Sequence, residues 1–200
     1  MDTSIIISDG VLSSVAFYIA FQLFRSKQSF AKVAATGILI IGLTSFIGFI
    51  NHFGVHEAAP FGKFFGGLSN FLGVPLIGLA FAMLVLKNKK LSSLLISLFL
   101  TIYIVFTYFY SLPTFPMILG SISMITIIAV SISKIRENST FSTVGIIGAT
   151  LIIIAGLVIG TEGKIGSFLR LDLYHYMIAG ALVCFGNGLV TISPQQKTSN

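Results

Sequence analysis

Long apolar runs alternate with short polar breaks along the whole chain. The runs cover roughly Ile5–Phe24, Val33–Phe53, Phe65–Leu86, Leu91–Tyr110, Met117–Ser133, Thr143–Gly160 and Leu171–Ile192. At about 1.5 Å per helical residue, each can cross a hydrocarbon core of about 30 Å, the fifth and sixth only just. Charges close several of them: Arg25 and Lys27, then Lys87, Lys89 and Lys90, then Lys134, Arg136 and Glu137. The pattern predicts an all-α, polytopic membrane protein built as a seven-transmembrane-helix bundle. Residues 1–193 form its single domain and 194–200 a polar tail.

Pro75 falls inside the third run and predicts a kink. Gly62-x-x-x-Gly66 and Gly156-x-x-x-Gly160 have the spacing that lets helix backbones approach. Tyr103, Tyr108 and Tyr110 collect toward one end of the fourth run, as an interfacial belt would. The two halves show no mirrored hydropathy, which argues against an inverted-repeat transporter.

Composition strengthens this reading. Only 9% of residues are charged and 55% are hydrophobic, with a mean hydropathy of +0.99. A soluble domain carries about 25% charged residues. The net charge of +6 would otherwise raise nucleic acid as a partner. Here the basic residues sit in short loops, so the expected partner is the lipid bilayer and no nucleic acid.

Arg25, Lys27, Lys32, Lys87, Lys89, Lys90, Lys134, Arg136 and Lys197 fall on one side, and only Lys63, Lys164 and Arg170 on the other. That bias predicts the N-terminus outside and the C-terminus cytoplasmic. Met1–Gly10 carries Asp2 and Asp9 instead of a positive leader, so the first run is expected to remain in the mature protein. The one cysteine, Cys184, lies within an apolar run and has no intrachain partner for a disulfide. Asn138-Ser-Thr matches a glycosylation sequon but falls in an expected cytoplasmic loop.

The chemistry concentrates at one face. Three histidines and six acids are the whole supply of their kinds. His52 and His56 lie at the outer end of the second run, His175 and Asp172 at the outer start of the seventh, and Asp9 at the outer start of the first. Ionisable residues in or beside spans are costly and mark candidate functional sites. His52 and His56 are spaced i, i+4, and Asp172 and His175 i, i+3, so each pair can share a helix face. Three imidazoles converging from two helices would make a zinc site with an open position. Bound water there would act as a nucleophile on an ester or amide. Asp172 or Asp9 would orient a histidine or take a proton.

Structural alternatives stand beside each. His56, next to Gly54, Glu57 and Pro60, reads more readily as a solvated loop residue. His52 and His175 serve equally as interhelical hydrogen-bonding glue. Asp9 serves equally as a helix cap. Asn51, Asn70 and Asn187 read as interhelical hydrogen-bonding groups, and Ser45 as bonding back to its own helix. The seventh run has no lysine for a retinal Schiff base. The cytoplasmic half lacks the charges an ion channel or pump would use.

Asp9, Asn51-His52 and Asp172-Leu-Tyr-His175 resemble the pattern of a family of bacterial seven-helix membrane proteins. More distantly they resemble the CREST superfamily of alkaline ceramidases and PAQR-like hydrolases. The resemblance spans nearly the whole chain at the level of helix count and polar placement. It implies a protein of the bacterial inner membrane acting as a zinc-dependent hydrolase on a lipid amide or ester. By position, His52 and His175 match two of the three metal ligands, and His56 or Asp172 would supply a third. Leu171 stands where the superfamily has the first histidine of its seventh-helix pair. Gly48 replaces its second-helix serine, and Asn70 is the polar residue nearest its third-helix acid. The alternative function is a non-enzymatic sensor or small-ligand-binding protein, with a transporter third.

Overall fold

The computed structural model describes residues 3–86 and 115–192, with Ser97 and Thr101. Helix α1 spans Thr3–Phe24 and α2 spans Ser29–His52. A single 3-10 turn, His56–Ala58, leads into α3, Ala59–Leu68. A π-helical turn, Ser69–Gly73, passes directly into α4, Val74–Val85. Next come α5, Phe115–Ser133, and α6, Ser139–Ile153. A second π-helical stretch, Ile154–Ile159, extends α6. A short antiparallel hairpin, β1 (Lys164–Ile165) and β2 (Phe168–Leu169), precedes α7, Arg170–Ile192.

Among the described residues, six helical stretches are long and apolar enough to cross a membrane. The third is the continuous run His56–Val85, which starts well before the expected Phe65. The fourth expected run, Leu91–Tyr110 with its three tyrosines, lies outside the described residues apart from Ser97 and Thr101, as does the tail 194–200.

The local causes are readable. Asn138 caps α6, its side chain accepting the Phe141 N–H at 2.9 Å, a preferred N-cap role. Pro75 sits in the first turn of α4, directly after the π turn. Proline has no N–H to donate and crowds the carbonyl four residues back. The wider π turn takes up that disruption of the hydrogen-bond ladder. Gly160 closes the α6 extension at φ 67°, a left-handed conformation suited to glycine.

The helices form a closed ring in which α1 packs on α2, α2 on α4, α4 on α5, α5 on α6, α6 on α7 and α7 on α1. Glycines set the close approaches. A Cβ on Gly42 would meet that of Ala16 at 2.9 Å, and one on Gly186 would meet Ile19 Cγ2 at 2.5 Å. A Cβ on Gly78 would lie 2.7 Å from Ser123 Cβ. The two expected glycine pairs behave otherwise. Among the described residues, Gly66, Gly156 and Gly160 have nothing within 4 Å of an added Cβ, and Gly62 has only Ile47, at 3.7 Å. They open space instead of closing it.

One end of the ring is filled. Phe81, Phe141 and Phe185 are fully buried, with centroid separations of 5.3 Å (Phe81–Phe141) and 5.7 Å (Phe81–Phe185). Such aromatic contacts add about 0.5–1.5 kcal/mol each beyond area burial. The other end, where α1, α5 and α7 begin and α2 and α6 finish, is hollow. The start of α4 also lies at this hollow end, with Val74 lining the same cavity as Pro116 and Met117 of α5. Thus α4 and α5 are parallel neighbours. The chain leaves α4 at the filled end and enters α5 at the hollow one.

Candidate functional site

The hollow end holds a cavity of about 370 Å³. Its wall combines Asp9 and Leu12 of α1 with Ile41, Thr44, Ser45, Gly48 and His52 of α2. Ser69 and Asn70 of the first π turn close one side, and Tyr174, His175 and Ile178 of α7 another. The π turn places Ser69 and Asn70 here, and Thr44 ties α2 to the preceding α3 by donating to the Phe65 carbonyl at 2.9 Å.

At the centre of the polar wall is Asp9, 3% exposed. One carboxylate oxygen, Oδ2, lies 3.0 Å from His52 Nδ1. The other, Oδ1, accepts from Ser45 Oγ at 3.0 Å and lies 3.4 Å from His175 Nδ1. Ser45 Oγ is also 3.1 Å from the Asp9 carbonyl. Gly48 makes room, since a Cβ there would stand 3.0 Å from Asp9 Oδ2. Residues 45, 48 and 52 share one face of α2 by helical spacing, and that face receives Asp9.

A second carboxylate extends the network. Asp172, 4% exposed, lies in the first turn of α7, where unsatisfied N–H groups favour a negative charge. It accepts from Ser8 Oγ at 2.7 Å, and Ser8 Oγ lies 3.2 Å from His175 Nδ1. With its proton on Nδ1, His175 donates between Ser8 and Asp9. The result is a chain across three helices: Asp172, Ser8, His175, Asp9, His52. Every buried carboxylate in it has a donor, which offsets the cost of removing charge from water. The histidines differ in access: the His52 side chain is 40% exposed and that of His175 12%.

Residues 4–193 match one family. The chain belongs to DUF6962, a family of unknown function. No curated protein and no solved structure matches the chain.

In this DUF6962 chain the structure brings together four of the five expected site residues: Asp9, His52, Asp172 and His175. His56 stands apart, on the exposed 3-10 turn. Among the described residues, no group of three or more His, Cys, Asp or Glu side chains is arranged to hold a metal ion. The two imidazoles address different oxygens of one carboxylate, and the third expected histidine is outside the cavity. The donor set therefore does not fit a three-ligand zinc centre.

Other expectations change as well. Asp9 does not cap α1, because that helix begins at Thr3 and Asp9 lies well inside it. Ser45 bonds across to Asp9 and not back to its own helix. No side-chain hydrogen bond of Asn51, Asn70 or Asn187 is formed among the described residues, and Asn70 faces the cavity. Ser8 was not a candidate at all. Its signal was position, one residue before Asp9 and within an apolar run where a serine needs a partner.

Proposed function

We propose that this protein is a seven-span integral protein of the bacterial inner membrane that binds a small amphiphile at its outer face. Its parallel α4 and α5 support a further crossing between them and hence a count of seven. Among the described residues, Arg25, Lys27, Lys134 and Arg136 sit at the filled end, and Lys63, Lys164 and Arg170 at the hollow end. This bias supports a filled end in the cytoplasm and a hollow end outside.

The observation that carries the binding reading is Asp9, a carboxylate fixed by Ser45 and two imidazoles in the wall of an otherwise largely apolar cavity. Cavities with apolar linings and a few convergent polar groups are ligand sites by default. A small neutral head with hydroxyl or amide groups matches these donors and acceptors. N-butanoylethanolamine is a suitable probe. It should raise the unfolding temperature of the wild type in a saturable way and do so much less for Asp9→Asn. No stabilisation of the wild type by this head, or by its alcohol and amide halves, would refute the reading.

One observation favours a second reading. Asp9 Oδ2 holds His52 Nδ1 at 3.0 Å, which leaves Nε2 free as a base beside an accessible cavity. A carboxylate that fixes an imidazole in this way is half of a hydrolytic dyad. His52 would take a proton from water as the water oxygen attacks an ester or amide carbonyl, then return it to the leaving amine or alcohol. This is the lipid hydrolase implied by the CREST resemblance, with protein groups carrying the protons. The same probe tests it: ethanolamine release, lost in His52→Ala, would establish turnover. Binding without release would reject the dyad.

A further inference from the structure

A second cavity, about 400 Å³, lies beside the first. The two share Asn70, Val74, Thr161 and Tyr174 in their walls, so they are neighbouring compartments of one hollow. Their linings differ. The first holds the carboxylate and both imidazoles. The second is built from α5, the end of α6 and its π extension, with Met117, Met124, Ile152 and Leu157 among its walls. Two of its lining residues are exposed on the side of the bundle, Met117 of α5 at 57% and Leu157 of the α6 extension at 63%.

Glycines give this compartment its room. Gly120 and Gly156 both line it, and an added Cβ at either would meet nothing within 4 Å among the described residues. Several other glycines, Gly78 and Gly186 among them, are occupied by close helix contacts. Here, among the described residues, Gly120 and Gly156 face open space, on neighbouring elements, around a hollow that shares four wall residues with the polar one.

We infer that the second cavity is the alkyl compartment of the same site, and that Gly120 and Gly156 set the length of chain it accepts. The occupant is the unbranched alkyl tail of the amphiphile whose polar end sits at Asp9. This rests on the binding reading above. Beyond the shared wall, a tail in this compartment lies against Met117, Met124, Ile152, Ile153 and Leu157, with Ser121 the one hydroxyl among the described lining residues. Its head reaches the hydrogen-bonding chain through the shared wall at Asn70, Thr161 and Tyr174. The exposed Met117 and Leu157 mark the side of the bundle from which the tail would enter.

The test is a series of N-acylethanolamines from acetyl to decanoyl, with affinity referred to free aqueous probe. The proteins are wild type, Gly120→Leu and Gly156→Leu. Both variants add a side chain to open space at a helical position, so both should fold. Reaction of Cys184 with a thiol-reactive dye on heating checks this.

In the wild type, affinity should rise about 4-fold per methylene until the compartment is full, then level off. In the two variants it should level off at shorter chains by roughly the length a leucine side chain fills, while the acetyl probe binds as in wild type. Affinity independent of chain length, or an unchanged series in both variants, would overturn the inference and leave binding at Asp9 standing. Glycine variants that instead change the oligomeric mass would make this face a contact between copies, which also overturns it. If no member binds the wild type, the binding reading fails and the inference with it.

Discussion

Replacing Asp9 by asparagine preserves shape while removing the charge, and it separates two accounts of the site. Asp9 is 3% exposed. If its charge were poorly compensated, neutralising it would stabilise the protein, as happens for costly buried ions. The geometry argues the reverse. Asp9 receives Ser45 Oγ at 3.0 Å and faces His52 Nδ1 at 3.0 Å. Hydrogen bonds to a charged group contribute about 1.5–3 kcal/mol and neutral ones about 0.5–1.5, so two bonds lose about 2 kcal/mol together.

Two corrections reduce that figure. His52 is 40% exposed, so water screens and replaces part of its interaction. Ser45 retains the Asp9 carbonyl at 3.1 Å as a second acceptor. The expected loss is about 1–2 kcal/mol. For a chain of this size that is a fall of roughly 2–8 °C in unfolding temperature. The chain has no tryptophan, so the assay is thiol-dye labelling of Cys184 during heating in detergent, supported by circular dichroism. A double-mutant cycle with His52→Ala should give a coupling of about 0.5 kcal/mol or more. An unchanged or raised unfolding temperature, or strictly additive mutations, would refute the reasoning.

Four further substitutions test the same structure. Ser8→Ala removes the 2.7 Å donor to buried Asp172 and should cost about 1–3 kcal/mol, read by the same thermal assay; no change would mean Asp172 has another donor. Gly37→Ala would place a Cβ 2.4 Å from the Gly73 backbone oxygen, an overpacking cost of about 1–3 kcal/mol against which helix propensity returns about 1. Gly66→Ala, with nothing within 4 Å among the described residues, should instead be neutral or stabilising by up to about 1 kcal/mol; equal effects at the two glycines would contradict the packing described. His56→Ala should leave both probe affinity and unfolding temperature unchanged, because His56 lies outside the cavity on an exposed turn.

Much of the fold was legible because hydrophobic run length is a direct signal. The described ends of the first, second, fifth, sixth and seventh runs match their helices to within a few residues. The third run was misjudged at its start. His56–Phe64 contains Glu57, Pro60, Gly62 and Lys63, which read as a loop, yet it winds as a helix whose first turn tolerates proline. The hairpin Lys164–Leu169 and the two π turns carry no periodic signature, since a π turn has the same composition as the helix around it.

At the site, the concentration of rare polar residues at one end was visible from their positions alone. Their partners were not. Whether Ser45 bonds its own carbonyl or a neighbouring carboxylate depends on which helix packs there, which spacing within one helix cannot reveal. The glycine pairs show the same limit. G-x-x-x-G permits close approach, but at residues 156 and 160 the ring instead widens around a cavity.

The most direct test is an equilibrium titration of N-butanoylethanolamine into the purified wild type and Asp9→Asn. Saturable one-site binding that weakens about 10-fold or more in the variant is the result expected if Asp9 anchors a ligand's polar end. Equal affinity in the two proteins, or no saturable binding to the wild type, would mean that the carboxylate and its two histidines hold helices together and nothing else.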